Sequence, residues 1–194
     1  MVENNVSGWE QRLAQQQKET AKEINAAPIN PSPSGWKMVT VFAVGGLHAA
    51  GFAEDSEELL VASSNGQSVT DGLTGVQLYR NSESDGYDSR KLTARRLDQP
   101  DGPVFRMSGL EGGGLRTCTD DGWRLSLTYS NWPKGRLLLH EPKESAFRSK
   151  NIMFGKTVLA ERYEFRVWGF SWSGKVMIWS DEVDVRVYRR ETCE

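Results

Sequence analysis

Apolar positions along this chain recur with two different periods, and the change falls at Trp36. Before it, Trp9, Leu13, Ala21 and Ile24 form a thin stripe at helical spacing, with Gln11, Gln15, Gln16, Gln17, Lys18 and Glu19 on the wet side. The spacing predicts a helix over 7–25. Ser7 is its expected N-cap, and Glu10 stands three residues on in the reciprocal arrangement of a capping box. Pro28 biases Ala27 away from helical geometry. Prolines at 28, 31 and 33 make residues 28–35 an extended linker.

From Trp36 the pattern is strand-like. Short runs at 38–44, 49–52, 58–63, 68–71, 76–79, 104–107, 123–129, 136–140, 165–170, 175–180 and 183–188 are predicted strands. Asp71-Gly72 and Trp132-Pro133-Lys134-Gly135 supply turns. Val183, Val185 and Val187 alternate with Asp184, Arg186 and Tyr188, the period of a strand with one wet face. Residues 81–103 carry many charges, Gly and Pro, and read as a long surface loop. Phe52, Leu60, Trp123, Leu125, Phe170, Ile178 and Val185 are the expected core.

One phrase occurs twice. Gly51-Phe52, a polar turn and the run Leu59-Leu60-Val61-Ala62-Ser63 return as Gly169-Phe170, the turn 171–174 and Val176-Met177-Ile178-Trp179-Ser180. Trp123 to His140 reads as a degenerate copy between them. The phrase resembles the inner strands of WD-repeat β-propeller blades, where a Gly-Phe-Ser turn precedes a small apolar strand. It departs from that family in having no Trp-Asp dipeptide and no Gly-His signature. The Gly-Gly-Leu, Gly-Phe and Thr-Gly pattern is also similar to that of small uncharacterised bacterial proteins. The expected fold is therefore all-β, an antiparallel meander in propeller-like or twisted-sandwich form, with one N-terminal α-helix. The expected division is 1–27 helical segment, 28–35 linker, 36–190 single β domain and 191–194 tail.

Composition narrows the function classes. At 194 residues and a net charge of −2, the chain has one domain's worth of core and no global basic field, which argues against direct nucleic-acid binding. No apolar stretch suffices for a transmembrane helix, and 1–18 lacks the apolar centre of a signal peptide. Cytoplasmic residence is the expectation, with no membrane partner. Cys118 and Cys193 are expected as two reduced thiols.

No constellation of catalytic, metal-binding or cofactor-binding residues stands out. His48 and His140 have no second His or Cys at ligand spacing. Glu54, Asp55, Glu57 and Glu58 crowd a turn without the loop geometry of a calcium site. Gly155-Lys156-Thr157 lacks the earlier glycine of a phosphate-binding loop, because position 150 is Lys150. Glu111-Gly112-Gly113-Gly114 precedes strands and not a helix. Gly169 to Gly174 falls short of a nucleophile elbow, and a Ser-His pair cannot be read from two isolated histidines.

What remains is charge and aromatics. Residues 51–90 hold eight acids and two bases, a balance of −6. Within them, Glu83, Asp85, Tyr87 and Asp88 form an acidic, tyrosine-bearing segment expected to stand out as a finger. A finger of this kind mimics substrate charge and steers encounter with a basic cleft. Trp132 and Trp172 fall at turns, where a large ring favours a protein contact. These six residues are the candidate partner-binding set. The leading expectation is a bacterial immunity protein that blocks a toxin's active cleft. A scaffold subunit docked through its N-terminal helix, or a small enzyme with an unrecognised site, are the alternatives.

Overall fold

The computed structural model describes residues 8–142 and 153–191. Ser7, Lys150 and Cys193 lie outside them, and with them the helix cap, the phosphate-loop comparison, most of the tail and any pairing of Cys118 with Cys193. The fold is all-β with one N-terminal helix, α1 (Gly8–Ala26). The first sheet has the order β1 (Trp36–Ala43), β14 (Asp184–Arg190), β13 (Val176–Ser180), β12 (Val167–Phe170). The second is β11 (Lys156–Arg162), β10 (Lys134–His140), β9 (Arg124–Asn131). The third runs β5 (Gln77–Asn81), β4 (Gly66–Asp71), β3 (Glu58–Ser63), β2 (Leu47–Ala53), β8 (Phe105–Gly109), β7 (Thr93–Ala94), β6 (Tyr87–Asp88). All strand pairs within these sheets are antiparallel.

The three sheets stack face to face with the first in the middle. Every residue of β13 is buried. Met177 and Trp179 pack with Leu125, Leu137, Leu139 and Leu159 of the second sheet. Val176 and Ile178 point the other way, into Phe52, Leu59 and Val61 of the third. A strand covered on both sides reads as an unbroken apolar run, which is what residues 176–179 show. The same two-sided burial corrects the reading of β14. Tyr188, expected on a wet face, is fully buried against the second sheet, while Val185 and Val187 serve the other core. Val183 lies before the strand and is exposed. A third cluster fills the concave side of the third sheet with Leu60, Ala62, Val69, Ala94, Phe105 and Met107. The seven expected core residues are all buried, but they serve three cores.

The repeated Gly-Phe phrase has a steric cause. A Cβ on Gly51 would meet the Arg106 carbonyl oxygen at 2.0 Å, because β8 runs alongside β2. A Cβ on Gly169 would meet Leu115 Cβ at 2.3 Å, where the chain at Arg116 accepts the Phe170 N–H. In both hairpins a further segment flanks the first strand, the glycine admits it, and the next Phe is buried.

Helix α1 lies on the outer side of the second sheet. Only Ile24 is buried, against Leu138 and Val158. The carbonyls of Ile24 and of Ala27 just beyond the helix accept bonds of 2.6 and 2.9 Å from Arg136 Nη1, a cation placed on helix-end acceptors. Arg136 is held in turn by Glu161 at 2.7 Å. The linker is extended, and it docks: Asn30 N–H donates to the Val158 carbonyl at 2.8 Å, covering the free edge of β11. Strand β11 itself was not expected from the sequence, and neither was the β6–β7 hairpin inside the supposed loop at 81–103.

Phe52→Ala and Phe170→Ala are each expected to lower unfolding free energy by about 3–5 kcal/mol, as for other fully buried aromatics. Urea titration of each variant checks this, and unchanged midpoints would contradict the packing.

Candidate functional site

The segment expected to project as a finger is folded against the third sheet. Asn81 Oδ1 accepts the N–H groups of Glu83 and Ser84, and Asp85 Oδ1 accepts that of Tyr87 at 3.2 Å. The anchor is Gln67, which is fully buried on β4. Its Nε2 donates to the carbonyls of Asp85 and Arg95, each at 2.9 Å, and its Oε1 accepts from Leu97 N–H at 3.2 Å. One amide therefore clamps both arms of the excursion.

This placement corrects the expected exposure of Asp85, Tyr87 and Asp88, all of which are half-buried. Tyr87 packs on the concave core of the third sheet, and burial, reinforced by Glu111, pushes its hydroxyl above the ordinary range. Asp88 accepts the N–H groups of Arg90 and Lys91, which hold its carboxyl below the usual carboxylate range. Glu83 remains exposed. The local surplus of acid is largely answered within the chain. Glu58 meets Arg96 at 3.6 Å, Asp88 meets Lys91 at 3.5 Å and Glu54 meets Arg106 at 3.1 Å. The basic run at 90–96 thus folds back onto the acids it follows in sequence.

Asp85 has a further partner. Its Oδ2 lies 2.9 Å from Nδ1 of His48, and His48 Nε2 lies 3.1 Å from Oγ of Ser64. A Ser-His pair that the sequence could not assemble is thus formed by the β2–β3 register, which sets Leu47 opposite Ser63 and leaves His48 as an unpaired bulge residue. That register was the missing signal. The second histidine, His140, is a satisfied structural side chain. Arg124 donates to its Nδ1 at 3.2 Å and its Nε2–H donates to Ser126 Oγ at 2.7 Å. Among the described residues no group of three His, Cys, Asp or Glu side chains is placed to hold a metal ion.

The two tryptophans separate. Trp172 is partly exposed at the rim of a cleft of about 170 Å³, with Phe52, Phe170, Arg106 and Arg116 around it. Both Phe residues of the repeated phrase meet there. Trp132 stands at the β9–β10 turn, 79% exposed, with its ring 5.9 Å from that of Tyr129. Tyr163, 70% exposed, lies near by under Lys134, whose Nζ is 5.3 Å from the ring centre. A groove of about 520 Å³ runs beside this ridge, between α1 and β9, lined by Leu13, Thr20, Ala21, Ile24, Tyr129 and Ser130. Asn25 and Ser130 close one end with reciprocal bonds of 3.1 and 2.6 Å. Strand β9 is the edge of its sheet there. The helix stripe is only half used, since Trp9 and Leu13 are exposed.

No family model matches this chain, and no curated protein or solved structure matches it either. No described helix is long and apolar enough to cross a membrane.

Two outcomes follow from this geometry. Gln67→Ala leaves three backbone groups without their partner, so stability should fall by about 1–3 kcal/mol, and limited proteolysis should newly cut within 85–97. Resistance equal to the parent's would show that the clamp is dispensable. The second concerns pH. Burial first, then Arg124 and Lys156, lowers the His140 pKa from 6.5 to about 4. A folded pKa below the unfolded one means the unfolded chain binds the extra proton between those values. Stability from this group is therefore present above pH 6.5 and is lost as pH falls toward about 4. His140→Gln should flatten that part of the parent's stability–pH curve, measured by denaturant titration.

Proposed function

We propose that this chain is a protein-binding module whose contact surface is the ridge of Tyr129, Trp132 and Tyr163 with the groove along α1. In its most specific form it is a bacterial immunity protein of the cytoplasm, covering the active cleft of a toxin domain. The single observation behind the reading is Trp132, an indole left 79% exposed on a hairpin. Large rings with few rotatable bonds bury much area at little entropic cost, and such residues dominate binding energy at interfaces. The groove beside it accepts apolar side chains from the same partner segment.

The acidic segment contributes less than its composition suggests, because most of its carboxylates already have partners in the chain. Charge mimicry of a substrate is then a minor part of recognition. The exposed Trp9 and Leu13 favour a second use of the same face, as a subunit of a larger assembly docked through α1.

The test begins with a photo-crosslinking amino acid at Asn131, an exposed neighbour of Trp132, in cells of the source organism. A single partner should be captured at that position. Trp132→Ala should then weaken its binding by about 30-fold or more, the range of an interface hot spot, chiefly through faster dissociation. Glu83→Lys should change affinity far less. Parent-like binding by Trp132→Ala would remove the ridge from the interface. A toxin domain as the captured partner supports inhibition, and a stoichiometric multi-subunit assembly supports scaffolding.

A further inference from the structure

Ser64, His48 and Asp85 are arranged with the connectivity that serine-based acyl transfer requires. The carboxylate lies on Nδ1 of the imidazole at 2.9 Å, and the hydroxyl lies on Nε2 at 3.1 Å. With Asp85 holding a proton on Nδ1, Nε2 is the nitrogen left to accept the Ser64 proton. The Gly46 carbonyl also lies within reach of that hydroxyl, at the longer distance of 3.5 Å.

Each member sits on pinned backbone. The Ser64 N–H donates to the Gly46 carbonyl at 3.0 Å. The His48 carbonyl accepts from Leu110 N–H at 2.9 Å, so the bulge is fixed from the β8 side as well. Bulges re-aim side chains and gather beside active sites. Asp85 is fixed by the buried Gln67. The Gly45-Gly46 turn makes room for the nucleophile, since a Cβ on Gly46 would meet Ser64 Oγ at 2.6 Å. A Cβ on Gly45 would meet Asn65 Nδ2 at 2.2 Å, so the neighbouring amide packs against the same turn.

The geometry points to Ser64 as a nucleophile for ester hydrolysis, with His48 as general base and then general acid, and Asp85 as the group that orients it. Ser64 is exposed, so the substrate class is small or surface-presented acyl esters. In the first half-reaction Oγ bonds to the acyl carbon, its proton passes to Nε2, and the carbonyl electron pair moves to oxygen. Collapse breaks the ester C–O bond, and the alkoxide leaves with the proton from Nε2. Water then attacks the acyl-serine, giving its proton to Nε2, and Ser64 leaves as the alcohol with that proton. This activity is independent of the binding reading, since the constellation lies on the third sheet and the aromatic ridge on the second.

The test uses the full chain with p-nitrophenyl acetate, and with a fluorophosphonate as covalent probe. The expected result is turnover that falls about 100-fold or more in Ser64→Ala and in His48→Gln, the size of a lost nucleophile or general base. Asp85→Asn, which keeps a hydrogen-bonding side chain, should fall comparably while circular dichroism stays that of the parent. His140→Gln, which alters a structural histidine on the second sheet, should hydrolyse at the parent rate. Peptide mass spectrometry should place the phosphonate on Ser64, with Asp85→Asn labelled more slowly. Hydrolysis by Ser64→Ala at the parent rate, or a parent chain with no adduct on Ser64, would overturn the assignment and leave the three side chains as a structural pin.

Discussion

The fold depends on strand β13 being covered on both faces. Its even and odd residues belong to different cores, so the first sheet is a shared wall and neither neighbouring sheet can be packed without it. Among the described residues that wall contains the two largest fully buried side chains, Trp179 and Tyr188, together with Phe170 and Met177. Trp179 shows how a polar group is tolerated there. Its ring carries Arg186 at 4.2 Å on one approach and Arg162 at 5.3 Å on another, and both guanidinium groups reach Asp181. The cations lie along the indole with their charge answered by Asp181, and for Arg186 by Asp184 as well, so the guanidinium groups pack beside the central strands without an unpaired charge. Because β1 completes this sheet next to β14, the start and end of the β region are joined through the same wall.

Much of this was legible because patterning and sterics agreed. Strands whose apolar residues form unbroken or alternating runs were visible, and the Gly-Phe phrase marked two hairpins that share a physical requirement, the close passage of a third segment. The failures have equally local causes. Lys156–Arg162 begins with a lysine and ends with Glu161 and Arg162, so only Val158, Leu159 and Ala160 signal a strand. Tyr188 was placed on a wet face because alternation alone reports one buried side. It says nothing about a second layer on the other. The two-residue strands β6 and β7 carry too little sequence to show any period.

The candidate site was legible in part, and the reason lies in the difference between charge along a chain and charge in space. The acids of 51–90 outnumber the bases within the same window, yet Arg96 and Arg106, which answer Glu58 and Glu54, enter from a later segment and from β8, and His48, which hydrogen-bonds Asp85, enters from a bulge. Gln67 was invisible for a related reason. A glutamine in a strand is ordinarily read as surface, whereas here its buried amide bonds the backbone of the excursion at Asp85, Arg95 and Leu97. Trp132 was legible because a turn sequence restricts what can cover its ring. Trp172 is exposed as well, at the rim of the cleft where its turn lies over Phe52 and Phe170.

The bulge at His48 shows why the more chemically loaded arrangement escaped the sequence. In a regular ladder, alternation from Leu47 would send Ala49 into the core between the first and third sheets. The unpaired residue reverses the alternation, so Ala49 enters the concave core with Ala53 while Ala50 and Phe52 keep to the other. One inserted residue thus sets both core assignments of β2 and turns an imidazole toward the β3–β4 turn and the returning segment. Packing on either side of β2 holds the bulge in place, because relaxing it would move Ala49, Ala50 and Phe52 onto the wrong faces together. The position of His48 in the polar trio is therefore set by apolar neighbours on its own strand, whose side chains belong to the two cores that share β2.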